Sequence, residues 1–367
     1  MRVLGLGVRD FRCYESAEVT LGPSLTIISG PNGAGKTNLL EALYFGCTGR
    51  SCRTVNEREI VRFGAGSTRV VVRAEGEDGP HELAVGFEPG EPKRMRVDGA
   101  SVERLLDVDI RPLVSVFLPD RLDLIKGPPS NRRAHIDQVV AALWPARVGT
   151  RRAYAQALAQ RNALIGRIRA TGGGRDSLVT WDAELARHGV ALMSDRASAI
   201  AALAEPFMTL CAALGFDDAS LAYRPRSRAR AAEQLARELA ERTASDLERG
   251  FTGHGPHRDE LAIARAGREL RAYGSQGQQR LALLALLLAE REAITLSRSR
   301  PPLMLLDDVM SELDGDRRHA LVDLLRSAPG QSVITTTDVD HVPGAGDDGV
   351  MRLAATDGRV LEEALVP

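Results

Sequence analysis

Residues Gly30 to Thr37 read GPNGAGKT and fit the phosphate-cradle pattern GxxxxGK[ST], with Gly30, Gly35, Lys36 and Thr37 in the fixed positions. The flanks agree with it. Leu25–Ser29 (LTIIS) is a short apolar run with adjacent isoleucines, which predicts a buried strand, and Asn38–Phe45 (NLLEALYF) predicts the start of a helix. Glycines let backbone N–H groups turn inward around a polyphosphate, and the helix N-terminus adds the positive end of its dipole. Pro31, Asn32, Gly33 and Ala34 complete the cradle, Lys36 is placed to reach the β- and γ-phosphates, and the Thr37 hydroxyl to ligate Mg²⁺. ATP and Mg²⁺ are therefore the expected cofactors. The chain's 48 basic residues include only three lysines, Lys36, Lys93 and Lys126. An arginine-writing chain keeps lysine in the cradle, where a compact ammonium fits and a forked guanidinium does not.

A phosphate loop requires an acid at the end of a companion strand. Leu303–Asp308 (LMLLDD) supplies four apolar strand residues and two acids, followed by SELD at Ser311–Asp314. Asp307 is expected to hold Mg²⁺, and Asp308 to orient or deprotonate the attacking water. Upstream, Ser275-Gln276-Gly277-Gln278-Gln279 places Ser275 and Gln278 as a capping box at the head of a long apolar helix. Gly277 would permit a phosphate to approach that helix end closely. Two helix N-termini suited to phosphate, with one magnesium site, suggest that the second serves a nucleotide held by another copy of the chain.

The remaining composition is that of an ordinary soluble globular protein, 44% apolar and 26% charged, with a net charge of −1. Binding to nucleic acid must then come from a local patch. No apolar run reaches 18 residues, the N-terminus MRVLGLGVRDF lacks a signal-peptide pattern, and the four cysteines lack metal-binding spacing. These features point to a cytosolic protein with reduced thiols and no membrane partner.

The expected fold class is α/β: a phosphate-loop ATPase head with flanking antiparallel strands, plus a mostly helical inserted lobe. Alternation over Met1–Leu21 and again from Thr68 to Val97 predicts the antiparallel strands, and Leu113–Phe117 (LVSVF) predicts another buried strand. Lys126-Gly127-Pro128-Pro129 reads as a break, with Ser130–Asn131 capping the helix that follows. Helical spacing then runs to about Glu248, interrupted at Gly172–Gly174 and Gly215–Asp218. The expected division is a head of residues 1–125 and 251–367 and a helical lobe of 126–250. From Arg121 to Arg175 there are eleven basic residues against two acids, and a second basic knot, RPRSRAR, spans Arg224–Arg230. Solvated helix faces mix signs and this run does not, so phosphate-backbone binding is expected here, with Lys126, Arg132, Arg133, Arg151 and Arg152 as candidate contacts.

GPNGAGKT, SQGQQ, LMLLDD and SELD, in this order, resemble the Walker A, signature, Walker B and D-loop motifs of ABC-type ATPases. The helical insertion between Thr37 and Ser275 looks like the SMC branch rather than a transporter ATPase. DFRCYESAEV, LLEALYFGCTGRSCR, VFLPDRLDLIKGPPSNRRAHID, GPHRDEL, YGSQGQQR and LLDDVMSELD together resemble the RecF family of bacterial recombination-mediator ATPases. The resemblance implies ATP sandwiched between two subunits, with Gly30–Thr37 and Asp307 in cis and Ser275 and Gly277 meeting the γ-phosphate in trans. It places Asp314 at the dimer seam, Thr337-Asp338 near the γ-phosphate and Arg12 near the nucleotide. It implies an ATP-dependent homodimer on double-stranded DNA and single-strand/double-strand junctions, with RecR as partner, RecO in the same pathway, and RecA loading as outcome. The chain departs from the general ABC pattern at Asp308, where most such ATPases carry glutamate; the shorter carboxylate implies slow turnover, with ATP acting as a dimer-locking switch. The insertion is too short for long SMC arms.

Overall fold

The computed structural model describes residues 1–119 and 122–363. The chain begins with strands β1 (Arg2–Phe11), β2 (Tyr14–Thr20) and β3 (Leu25–Ser29), and then helix α1 (Lys36–Thr48). Strands β4 (Thr68–Gly76), β5 (Gly79–Phe87), β6 (Arg94–Val97), β7 (Ala100–Val102) and β8 (Val114–Phe117) follow. Next come helices α2 (Asp123–Lys126), α3 (Pro129–Leu143), α4 (Val148–Thr171) and α5 (Leu178–Ala213). Strand β9 (Ala219–Arg224), helices α6 (Ala232–Glu241) and α7 (Thr243–Arg249), strands β10 (Glu260–Arg265) and β11 (Arg268–Glu269), and helices α8 (Leu270–Tyr273) and α9 (Gln276–Arg298) continue the chain. It closes with β12 (Leu303–Leu306), α10 (Gly315–Ser327), β13 (Ser332–Thr336), β14 (Val350–Thr356) and β15 (Arg359–Glu362).

The fold comprises two compact units, one running to residue 121 and resuming at Ile294, the other Leu122–Ala293. The first unit holds two six-stranded sheets. One is antiparallel in the order β2-β1-β4-β5-β6-β7; the other has the order β15-β14-β3-β13-β12-β8 and is parallel except for β15. The sequence dictates the difference. LTIIS, LMLL and SVITT are buried at every residue, as strands covered on both faces must be. Strand β4 instead buries Thr68, Val70, Val72 and Ala74 and exposes residues between them, as a one-sided antiparallel strand does. Helix α1 buries Leu39, Leu40, Leu43 and Phe45 in the common core. It lies so close to β4 that a Cβ on Gly46 would stand 2.4 Å from a Val72 methyl.

The second unit is a helical hairpin with additions. Helices α4 and α5 are joined through Gly172–Gly174, whose outer glycines take φ of 76° and 91°. Tyr154, Ala157, Leu185, Leu192, Leu235 and Leu239 form one core there. Two expectations need correction. Pro128-Pro129 starts α3 rather than preceding a Ser130–Asn131 cap: Pro128 is extended at the N-cap and Pro129 sits in the first turn, where its missing N–H costs nothing. The stretch ASLAYR is strand β9, pairing with β10, within a span read as mostly helical. Its Ala and Leu content is helix-compatible, but Ala219 and Leu221 alternate inward and the partner strand decides. The second compact unit, Leu122–Ala293, takes in β10, β11 and most of α9. No helix among the described residues is long and apolar enough to cross a membrane, and the four cysteines are free, Cys13 exposed and the others buried.

Candidate nucleotide-binding site

The parallel sheet positions the site. Strands β3, β13 and β12 lie side by side, and the phosphate loop, Thr335 and Asp307 all sit at their carboxyl ends, where ligands of open α/β sheets bind. Gly30 takes a φ of 147°, and a Cβ there would stand 2.2 Å from the Ala355 carbonyl oxygen. Gly35 takes 104°, 2.6 Å from the Tyr14 hydroxyl by the same measure. Both positions demand glycine on two counts, conformation and space. Gly33 (φ 84°) has nothing within 4 Å on its open side. Helix α1 has no side-chain cap and no acid in its first turn, so its leading N–H groups are left for an anion.

Lys36 Nζ donates to the carbonyls of Gly30 (2.7 Å) and Pro31 (3.0 Å), which holds the ammonium against the loop. Burial pushes its pKa down, and Asp308 and Asp307 oppose that. Thr37 Oγ1 stands 2.9 Å from both Asp307 carboxylate oxygens. Thr335 Oγ1 donates to Asp307 Oδ1 (2.7 Å) and accepts from the Asp308 N–H (2.9 Å). Burial raises the Asp307 pKa; the Thr335 and Thr37 hydroxyls pull it back, and neighbouring Asp308 pushes it further up. Asp308 adopts φ 45°, and its Oδ1 is buried with no hydrogen-bond partner.

This donor set fits Mg²⁺. A hydroxyl and a carboxylate converge, while no cluster of three or more His, Cys, Asp or Glu side chains suited to a metal occurs among the described residues. Mg²⁺ keeps most of its waters and takes few protein ligands beside phosphates. The orphaned Asp308 oxygen is likewise a ready acceptor for water. Thr335 is a site residue that motif reading missed; the signal was its place in SVITTTD, one strand from Asp307 in a parallel sheet.

Arg12, expected near the nucleotide, has φ 54° and is gripped by Glu41 through Nε (2.8 Å) and Nη2 (2.7 Å), with Nη1 on the Glu59 carbonyl. Glu41 is fully buried on α1 and also pairs with Arg53. A buried carboxylate without its guanidinium is costly, so Glu41 fixes Arg12 beside the helix that carries the loop. Asp314 caps α10 by accepting from the Arg317 N–H, Thr337 is exposed, and Asp338 accepts from the Asp340 N–H.

In the second unit the capping box forms as expected. The Gln278 N–H donates to Ser275 Oγ (3.3 Å) and the Ser275 N–H to Gln278 Oε1 (3.0 Å). Ser275 and Gly277 are exposed, with open space where a Gly277 Cβ would stand.

The basic run divides. Lys126, Arg151 and Arg152 are exposed; Arg151 has an ion pair to Asp137 at 3.3 Å. Arg133 is half-buried on the Asp259 carbonyl. Arg132 is only 3% exposed, bidentate to Glu260 and bonded to the carbonyls of Ile125 and Gly127, which removes it from the candidate DNA contacts. Arg161 is fully buried between Asp182 and Asp246. The excess counted along the chain is lowered by acids that folding brings from Asp182, Asp195, Asp246 and Glu260. Arg121 lies outside the described residues.

A family model described as an AAA domain matches residues 6–98. The chain is 40% identical over 360 residues to the DNA replication and repair protein RecF of Anaeromyxobacter sp. (strain Fw109-5), covering 95% of this chain and 96% of that one. It is 37% identical over 377 residues to the RecF protein of Myxococcus xanthus (strain DK1622), covering 99% and 98%. A solved structure of the recombination mediator RecF with ATP, of the RecFOR pathway, superposes with a TM-score of 0.86 at 27% identity, over 99% of this chain and 98% of that chain. An SMC head domain from Pyrococcus furiosus shares the fold alone, at TM-score 0.62 and 19% identity over 99% and 96% of the two chains. With a phosphate loop, companion acids and signature helix in one ABC-type ATPase fold, and such identity across nearly the whole of both chains, this chain belongs to the RecF family.

Proposed function

We propose that this chain is an ATP-dependent DNA-binding protein of recombinational repair and replication-fork recovery. ATP-driven homodimerisation clamps gapped or junction DNA, and slow hydrolysis resets it. RecR, with RecO in the same pathway, is the partner, and loading of RecA on single-stranded gaps is the outcome. The observation that carries this reading is the convergence of Thr37, Asp307 and Thr335 beside an uncapped helix N-terminus and the Lys36 ammonium.

Each residue has a role. Lys36, now on the Gly30 and Pro31 carbonyls, would take phosphate oxygens instead, and Thr37 with Asp307 would hold Mg²⁺. Bound Mg²⁺–ATP supplies the phosphoanhydride and the negative charge that a second subunit recognises. Thr335 holds the Asp307 carboxylate and the Asp308 backbone in register, so that Asp308 Oδ1 is left to accept from a water. Aspartate reaches less far than glutamate, which favours slow, DNA-stimulated turnover. The exposed Ser275–Gly277 helix end is then the surface offered to the partner subunit's γ-phosphate. A cytoplasmic, nucleoid-associated location follows from that role.

The test is to size the protein with and without ATP and a gapped duplex, for wild type and Ser275→Arg together. Wild type is expected to shift from monomer to dimer with ATP, and Ser275→Arg to bind ATP yet stay monomeric. A Ser275→Arg protein that still dimerises with ATP refutes the trans contact.

A further inference from the structure

Around the GPHRDEL segment of the second unit, Arg226, Arg249, Phe251, Gly253 and Arg258 line an open cleft of about 390 Å³. All three arginines are exposed, and none has an acidic partner among the described residues. Two acids on the same stretches are committed inward. Asp246 accepts from the Gly253 N–H (2.9 Å) and from Arg161 (2.6 Å). Asp259 accepts from the Arg226 N–H (2.7 Å) and from the Tyr223 hydroxyl, with Arg196 at 3.5 Å. Both carboxylates are buried, at 2% and 1% exposure, and no acid lines the cleft.

The same networks fix the cleft's walls. Thr252 is held by Asn162 through its N–H (2.8 Å) and hydroxyl (2.7 Å) and by Arg161 (2.7 Å), while His257 bonds the Thr252 carbonyl (2.9 Å). These bonds pin the segment between Arg249 and Arg258 at its middle, and Asp259 pins Arg226. Arg258 stacks at 5.3 Å from the Phe251 ring centroid, and the ring keeps 41% of its surface exposed. Those bonds fix the stretch at Thr252, although Arg161 Nη2 itself has no hydrogen-bond partner. Here they carry three like charges and an exposed aromatic ring, an arrangement that repels itself without an anion.

We infer that this cleft is a binding site for a single nucleic-acid strand, its arginines taking the phosphodiester backbone and Phe251 stacking a base. Guanidinium forks match phosphate oxygens bidentately, and an exposed aromatic beside them is the sequence-tolerant platform on which unpaired bases sit. A duplex keeps its bases stacked inside and has no use for the ring, so the aromatic favours a strand with free bases.

The inference rests on the DNA-binding reading above and specifies where a single strand would be held. Anisotropy of a short labelled single strand between 50 and 200 mM salt tests it. The Arg226→Ala/Arg249→Ala/Arg258→Ala protein should lose about 2 from the magnitude of the slope of log K against log salt, near 0.7 for each phosphate contact. Phe251→Leu should weaken binding roughly 5-fold or more, with the slope unchanged. Arg249→Lys alone should keep the slope and lose affinity, because the charge stays and the fork goes. A wild-type thermal transition checks the fold of each variant. If the triple variant keeps the wild-type slope while the wild-type chain binds a gapped duplex with ATP, the cleft assignment is wrong and the DNA-binding reading stands. If the wild-type chain binds neither strand nor duplex, the reading falls and the cleft with it.

Discussion

The two units both bury charge, and they do so to opposite ends. At the phosphate loop, Lys36 rests on two carbonyls, Thr37 on a carboxylate, and Asp308 leaves a buried oxygen without a partner. Each of these contacts can be surrendered to a phosphate, a metal or a water. In the helical unit, Arg161 is fully buried between Asp182 and Asp246 and also bonds Thr252, and Arg196 is locked to Asp137 and the Pro256 carbonyl. Those partners are fixed, although Arg161 Nη2 is also buried without a partner. The contrast shows that a buried charge marks a working site when its partners are exchangeable, and marks architecture when they are fixed.

The contrast breaks most visibly at Arg161. Arg161→Met leaves two buried carboxylates uncompensated, so it should cost about 3–5 kcal/mol in denaturant unfolding. A loss below about 1 kcal/mol would mean that the triad is not architectural. Next comes pH. Burial pushes His257 down to about 4, below its ordinary value of 6.5. Its Nε2–H donates to the Thr252 carbonyl (2.9 Å) and its Nδ1 accepts from the Tyr154 hydroxyl (2.7 Å), an arrangement that suits the neutral ring. The unfolded chain therefore takes up the proton first as pH falls. Stability from this group is complete above about pH 6.5 and declines toward pH 4, by at most about 3 kcal/mol. Urea midpoints at successive pH values should show that decline, and His257→Gln should flatten it. The smallest effect on the fold belongs to Lys36→Arg. It should leave thermal stability near wild type and weaken ATP binding by about 10- to 100-fold in calorimetric titration, since a charged hydrogen-bond set is lost only when phosphate is present. An equal loss of stability would show that Lys36 is built in as Arg161 is.

Most of the catalytic end was legible because its parts are contiguous. GPNGAGKT needs only its own glycines, the strand before it and the helix after it, and LMLLDD needs only its own strand. Thr335 was not legible, because its role depends on β13 lying between β3 and β12, an ordering of strands that no local pattern records. Glu41 likewise reads as one acid in an apolar helix until Arg12, folded back through a positive φ, closes on it.

The sequence by itself determined the phosphate loop, its acid, the capping box at Ser275 and the family, because each rests on residue types at short, fixed spacings. Only the tertiary structure decided which arginines are free. Counted along the chain, Arg132, Arg151, Arg152 and Arg161 are equivalent members of one basic run. Folded, Arg132 and Arg161 are neutralised by Glu260, Asp182 and Asp246, while Arg152 stays at the surface. Charge acts through distance in space, and a chain 128 residues apart in sequence can close an Arg132–Glu260 pair to 2.7 Å.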